Sequence, residues 1–217
     1  EKYFFSSIKP NHQTFEEKRY WRGPVWINCN WFVCKGLINK DESILNGNKE
    51  NLLKFDEFEK PLALQLGGSN KNKLKEATKI GINYGYDEIN LNIGCPSKKV
   101  KSGKFGAVLM KDPDLVAECV EKMKSSAENI PISVKCRLGV DAQVVEKELP
   151  LFIKKIIDAG VDNIIIHARK ALLKGLSPKQ NRMIPPINYS LVYEMKKEFK
   201  EIPIYLNGEI KNLDEAK

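Results

Sequence analysis

A chain of 217 residues with 42% hydrophobic and 29% charged residues has an ordinary soluble globular composition and can form one large domain or two small ones. No apolar run approaches the roughly 18 to 20 residues of a membrane span, the opening EKYFFSSIKPNHQ has no signal-peptide pattern, and five irregularly spaced cysteines make no disulfide framework. The expectation is a cytosolic protein with reduced thiols, whose net charge of +8 makes nucleic acid the first candidate partner.

The first 40 residues stand apart. RYWRGPVWINCNWFVCKGL gathers Trp21, Trp26 and Trp31 around Arg22 and Pro24 without strand–helix alternation, so a boundary is expected near Asp41, giving segments 1–40 and 41–217. Cys29 and Cys34 lack the second ligand pair of a tetrahedral metal site, and no metal is expected. Five short apolar runs follow: PLALQLGG (61–68), EINLNIG (88–94), ISVKCRLG (132–139), NIIIHAR (163–169) and PIYLNGEI (203–210). Their continuous apolarity predicts strands buried on both faces. Between them, Leu74, Ala77, Ile80, Gly81 and Tyr84 share one helical face. Asp112 and Pro113 start a helix burying Val116, Cys119, Val120 and Met123. Leu149, Phe152, Ile153, Ile156 and Ile157 form a stripe that stops at Gly160, and Ser190 is expected to cap a helix carrying Leu191, Met195 and Phe199.

This βα rhythm allows an open doubly wound sheet or a closed (β/α)8 barrel. Every run ends in groups able to do chemistry: Gln65; Asn92 with Cys95; Lys135 with Arg137; His167 with Arg169; Asn207 with Gly208. A barrel delivers all its strand ends to one mouth, so five loaded ends predict a partial (β/α)8 TIM barrel lacking its first and last strands.

Cys119 and Cys136 fall on a helix stripe and inside a strand, where a thiol is a small hydrophobe. Cys95 differs, because it lies between Gly94 and Pro96 at a strand exit, where a general acid is as natural a role for a thiol as a nucleophile. Lys135 and Arg137 alternate onto one face of their strand, and the shortage of carboxylates within the runs predicts a ligand phosphate or electron-rich ring as their partner. His167 is equally readable as a structural residue or a ligand contact, while Gly208 allows backbone close to a phosphate. Lys98, Lys99, Lys101 and Lys104 on one loop, and Arg169, Lys170, Lys174, Lys179 and Arg182 on another, predict a grip on a phosphate backbone.

At these residues the chain resembles the tRNA-dihydrouridine synthases, in particular the bacterial A-type branch. The strings that carry the likeness are LNIGCPSKKVKSGKFGAVLM, VKCRLGVD, IIHARKALLKGLSPKQNR and LNGEIKNLDEA, in order and spacing. The resemblance implies an FMN-binding barrel that reduces the C5–C6 bond of uridines in the tRNA D-loop, of the 20/20a type, with NADPH reloading the flavin. It implies Cys95 as proton donor to C5, and Gln65, Lys135, His167, Asn207, Gly208 and Glu209 at the flavin, Glu209 standing where A-type members often carry glycine. Asn92 and Arg137 are implied near the uracil, Lys179 and Arg182 at the tRNA. The protein is expected to act as a monomer, away from membranes. Residues 3 to 38 resemble instead the family-63 glycoside hydrolases, so a join of two unrelated frames would account for both likenesses. A glycosidase fragment and a non-catalytic RNA-binding barrel are the competing readings.

Overall fold

The computed structural model describes residue 45 and residues 49–97 and 104–210. The tryptophan-rich segment, the boundary near Asp41 and Lys98, Lys99 and Lys101 lie outside the described residues. A short helix α1 (Lys49–Leu53) leads into four strand–helix alternations and a fifth strand: β1 (Ala63–Leu66), α2 (Lys71–Asn83), β2 (Glu88–Asn92), α3 (Pro113–Lys124), β3 (Ile132–Arg137), α4 (Val145–Asp158), β4 (Asn163–His167), α5 (Tyr189–Glu198) and β5 (Ile204–Asn207).

The strands form one parallel sheet in the order β1-β2-β3-β4-β5. A doubly wound sheet reverses its order at a switch point, whereas a barrel adds each strand beside the last. The sequential order is therefore that of a barrel arc, as expected from the loaded strand ends.

Pairing couples Asn90 to Ser133, Asn92 to Lys135, Arg137 to His167 and His167 to Asn207. Successive side chains of a strand point to opposite faces, so this register sorts the residues cleanly. One face carries Leu64, Leu66, Ile89, Leu91, Ile132, Val134, Cys136, Ile164 and Ile166, all buried. The other carries Gln65, Glu88, Asn90, Asn92, Ser133, Lys135, Arg137, Asn163, His167 and Asn207, with Ala63 and Ile165 as a small apolar island. The expectation of apolar burial on both faces is thus corrected: the second face is partly to fully buried, but it is polar, and many of its side chains are joined by hydrogen bonds across the strands.

The helices cover the apolar face. Leu74, Ala77 and Gly81 of α2 are buried against it, and a β-carbon on Gly81 would come within 2.6 Å of Leu64 and 2.8 Å of Ile89. Only glycine lets the helix approach that closely. Asp112 caps α3 as expected, accepting from the Leu115 N–H at 3.2 Å with Pro113 behind it, and α4 buries Leu149, Phe152, Ile153 and Ile156. The start of α5 differs from expectation. Asn188 is the cap, its Oδ1 accepting from Leu191 N–H at 3.0 Å. Ser190 lies inside the first turn, exposed, because Asn188 already meets the orphan donor.

Candidate active site

The chemically active residues gather at the C-terminal ends of the strands. Across β3, β4 and β5, Oδ1 of Asn207 accepts from Lys135 Nζ at 3.0 Å and lies 3.0 Å from His167 Nδ1. An ammonium has no lone pair, so the Asn207 atom facing it must be oxygen. That oxygen can only accept from the imidazole, which fixes the proton on Nδ1. Burial lowers the His167 pKa to about 3, with Arg137 and Lys135 acting in the same direction, so the ring is neutral near pH 7. Its Nε2 is then a lone-pair acceptor, and it is buried without a hydrogen-bond partner. Gly208, at φ +118°, lies so near that a β-carbon there would sit 3.4 Å from Nε2.

At the exit of β2, Oδ1 of Asn92 accepts from the N–H groups of Gly94 and Cys95 at 3.0 and 3.1 Å, while its Nδ2 donates to Gln65 Oε1 at 2.9 Å. Asn92 thus folds the turn that presents the half-buried Cys95 thiol. The carbonyl of Cys95 accepts from Ala107 N–H at 2.9 Å, tying the far side of the basic loop to the turn. Cys119 and Cys136 are fully buried, and burial pushes the Cys136 thiol up to about 12. Both match the expectation of structural thiols.

Arg137 departs from what its position on the strand suggested. Its Nε donates to Gly94 O at 3.3 Å and its Nη1 to Asn181 O at 2.9 Å and Lys170 O at 3.4 Å. Backbone carbonyls, not an anion, meet this buried guanidinium, and burial, then Arg182, lower its pKa to about 10, with Cys95 opposing. The Arg169 side chain is likewise buried. Its Nη2 pairs with Glu209 at 2.8 Å and its Nη1 bonds the Pro185 carbonyl, while its Nε has no hydrogen-bond partner. Glu209, at φ +54°, spends its carboxylate on Arg169. Lys170 donates to Gln143 O at 2.7 Å. Of the five cations expected to grip phosphates on this loop, Lys174, Lys179 and Arg182 are the exposed ones.

Asn181 organises that loop, and the sequence reading missed it. Fully buried, it accepts from Leu172 N–H at 2.7 Å and donates to the carbonyls of Leu172, Ser177 and Leu176 at 3.0, 3.3 and 3.5 Å. Asn90 and Ser133 were missed as well. Their signal was a polar residue at every second position of runs that otherwise read as apolar. Among the described residues no group of three or more His, Cys, Asp or Glu could hold a metal ion, and no helix is long and apolar enough to cross a membrane.

Comparison with known proteins follows the same geometry. A family profile described as Dihydrouridine synthase (Dus) matches residues 28–217. A protein of Synechocystis sp. named tRNA-dihydrouridine(20/20a) synthase is 50% identical over 169 residues, 78% of this chain and 50% of that protein. Proteins of the same name from Xanthomonas campestris pv. campestris and Shewanella oneidensis are 47% and 48% identical over 172 and 174 residues, covering 79% and 80% of this chain and 51% of each relative. The chain spans about half the length of the curated relatives it matches. The glycoside-hydrolase likeness of residues 3 to 38 is not borne out, and the family match begins inside that segment. Profile, relatives and sequential parallel sheet agree: the chain belongs to the dihydrouridine synthase family, and its fold is a partial (β/α)8 barrel.

Proposed function

We propose that the protein to which this chain belongs reduces uridine to 5,6-dihydrouridine in the D-loop of tRNA, using FMN with NADPH as the electron source. The observation that carries the reading is the company Cys95 keeps. A half-buried thiol at the exit of β2 shares one end of the sheet with an ammonium and a neutral imidazole joined through Asn207. The residues present fit a flavin: an orphaned acceptor at His167 Nε2, a side-chain-free approach at Gly208, and a cation at Lys135 suited to the electron-rich pyrimidine edge of a reduced ring. Gln65, Lys135, His167, Asn207 and Gly208 would hold it, with Glu209 acting through Arg169. Reduced FMN would supply the hydride that reaches uracil C6.

The chain's own residues do the rest. Cys95 gives its thiol proton to uracil C5, where negative charge gathers as C6 is reduced. Asn92 and Arg137 hold the turn on which that thiol rides, next to the base. Lys174, Lys179 and Arg182 face the phosphates of a tRNA whose uridine is turned out of its stack. The reading places the enzyme in the cytoplasm, as a monomer, with no metal and no membrane.

The test is single-turnover oxidation of prereduced full-length protein by unmodified tRNA, with dihydrouridine counted in the product. Cys95→Ala should keep flavin and tRNA binding and lose about 10² to 10⁴ in rate, whereas Cys119→Ala and Cys136→Ala should change stability more than turnover. Near-normal product from Cys95→Ala would sink the assignment of the proton donor.

A further inference from the structure

The polar face of the sheet carries one continuous chain of hydrogen bonds from the Cys95 turn to the far ends of the strands. Gly94 and Cys95 N–H donate to Asn92 Oδ1, Asn92 Nδ2 to Gln65 Oε1 at 2.9 Å, and Gln65 Nε2 to Asn90 Oδ1 at 2.6 Å. Asn90 Nδ2 donates to Ser133 Oγ at 2.7 Å, and the Ser133 hydroxyl to Glu88. Asn163 Nδ2 also donates to Glu88, at 3.4 Å. Asn90 and Ser133 are fully buried, so water has no access to the middle of the chain.

The direction of every link is forced. A backbone N–H can only donate, so Asn92 must turn its oxygen toward the Cys95 turn and its NH₂ toward Gln65. The same reasoning orients Gln65 and then Asn90, whose NH₂ reaches Ser133. The single hydroxyl proton of Ser133 must then leave toward an acceptor, and Glu88 is where it goes. Without that acceptor the buried serine proton is left without a partner or competes for Asn90, and the chain that braces the upstream amides is weakened at its closed end.

We propose that Glu88, acting through Ser133 and Asn90, is a positioning residue for the Cys95 turn: the terminal acceptor that completes the chain and so helps hold the Gln65 and Asn92 amides in the orientation the Gly94 and Cys95 N–H groups require. Glu88 is at the opposite end of β2 from the thiol, and its hydrogen-bond partners, Ser133 and Asn163, are not among the residues assigned to flavin or uracil. The functional consequence, a correctly aimed Cys95, rests on the proposed reduction of uridine. The chain of bonds does not.

The experiment uses the full-length protein and two readouts. Hydrogen–deuterium exchange of the peptide spanning residues 92 to 97 reports the bonds of Gly94 and Cys95, with the Ile164 to Ile166 stretch of β4 as internal reference. Single-turnover dihydrouridine formation reports the thiol's aim. Ser133→Ala and Glu88→Met remove a link. They should speed exchange of the 92–97 peptide about tenfold, leave the β4 reference unchanged, and slow product formation with flavin content intact. Ser133→Thr and Glu88→Gln keep a hydroxyl and an acceptor oxygen, and should restore both readouts to within about threefold of the parent. Unchanged exchange in both link-removing variants overturns the proposal, as does equal acceleration in the two conservative ones, which would mark a packing effect. Faster exchange in a protein whose parent makes no dihydrouridine would overturn the functional reading and leave the positioning role standing.

Discussion

The imidazole of His167 and the α-carbon of Gly208 lie so close that an added β-carbon would sit 3.4, 3.5 and 3.6 Å from Nε2, Cε1 and Cδ2 of the ring. These are near-ordinary contact distances, so crowding alone costs little. The backbone at φ +118° is the greater obstacle, since a residue with a side chain there is strained by about 1 to 3 kcal/mol. Gly208→Ala should therefore lower stability by about that amount, and its methyl would cover the orphaned acceptor. Flavin absorbance of the purified full-length protein is expected to fall with the melting temperature. Full flavin with an unchanged melt would mean that neither the φ nor the acceptor matters.

His167 makes stability depend on pH in a defined direction. Its folded pKa of about 3 lies below the ordinary 6.5, so between those values the unfolded chain binds the proton and the folded one does not. The contribution is intact above pH 6.5 and is lost, by up to about 1.4 kcal/mol per unit, as pH falls toward 3. Asn207→Asp would set a carboxylate against Nδ1 and raise the imidazole pKa, shrinking that window. Imidazole resonances followed by NMR titration check both statements, and a His167 signal titrating near 6.5 in the parent would refute the first.

Arg137 is expected to act on stability before it acts on chemistry. Arg137→Met strips a donor from the carbonyls of Gly94, Lys170 and Asn181, and should cost about 2 to 4 kcal/mol in denaturant unfolding. Arg137→Lys cannot span the carbonyl of the β2 turn and two carbonyls of the loop after β4, and should recover only part of it. A lysine variant with parental stability but no uridine reduction would show that the guanidinium serves the base and not the turn.

Asn181 and the cations it holds should separate in a salt titration. Lys179→Ala with Arg182→Ala removes two exposed charges and should lower the slope of log affinity for tRNA against log salt by about 1.5 to 2. Asn181→Ala leaves those charges in place but cuts four bonds of their loop, so affinity should drop with the slope preserved. Equal slopes in all three proteins would remove this loop from the tRNA contact.

Much of this arrangement was legible in the sequence because its signals are local. The helix stripes, the Asp112 cap, the stop at Gly160 and the active groups at the strand ends each depend on spacing within a few residues. What was not legible depends on partners distant in the chain. Lys135 and Arg137 look like two unpaired cations until β5 brings Asn207 to one and the loops bring three carbonyls to the other. Glu209 looks like a misplaced acid until Arg169 meets it. Asn90 and Ser133 were hidden for another reason: short runs such as EINLN read as apolar when counted, while the polar half of their alternation is what builds the inner face.

That alternation sets what kinds of genetic change the chain can absorb. Inserting or deleting one residue within β3 or β4 would rotate everything beyond it by half a pleat, sending Lys135 or His167 into the oily layer beneath the helices and a leucine or isoleucine into the polar chamber. Adhesion and chemistry would fail together, from a lesion that swaps no residue for a worse one. Length variation should therefore be confined to connections such as residues 125–130 between α3 and β3, where no alternation has to be kept.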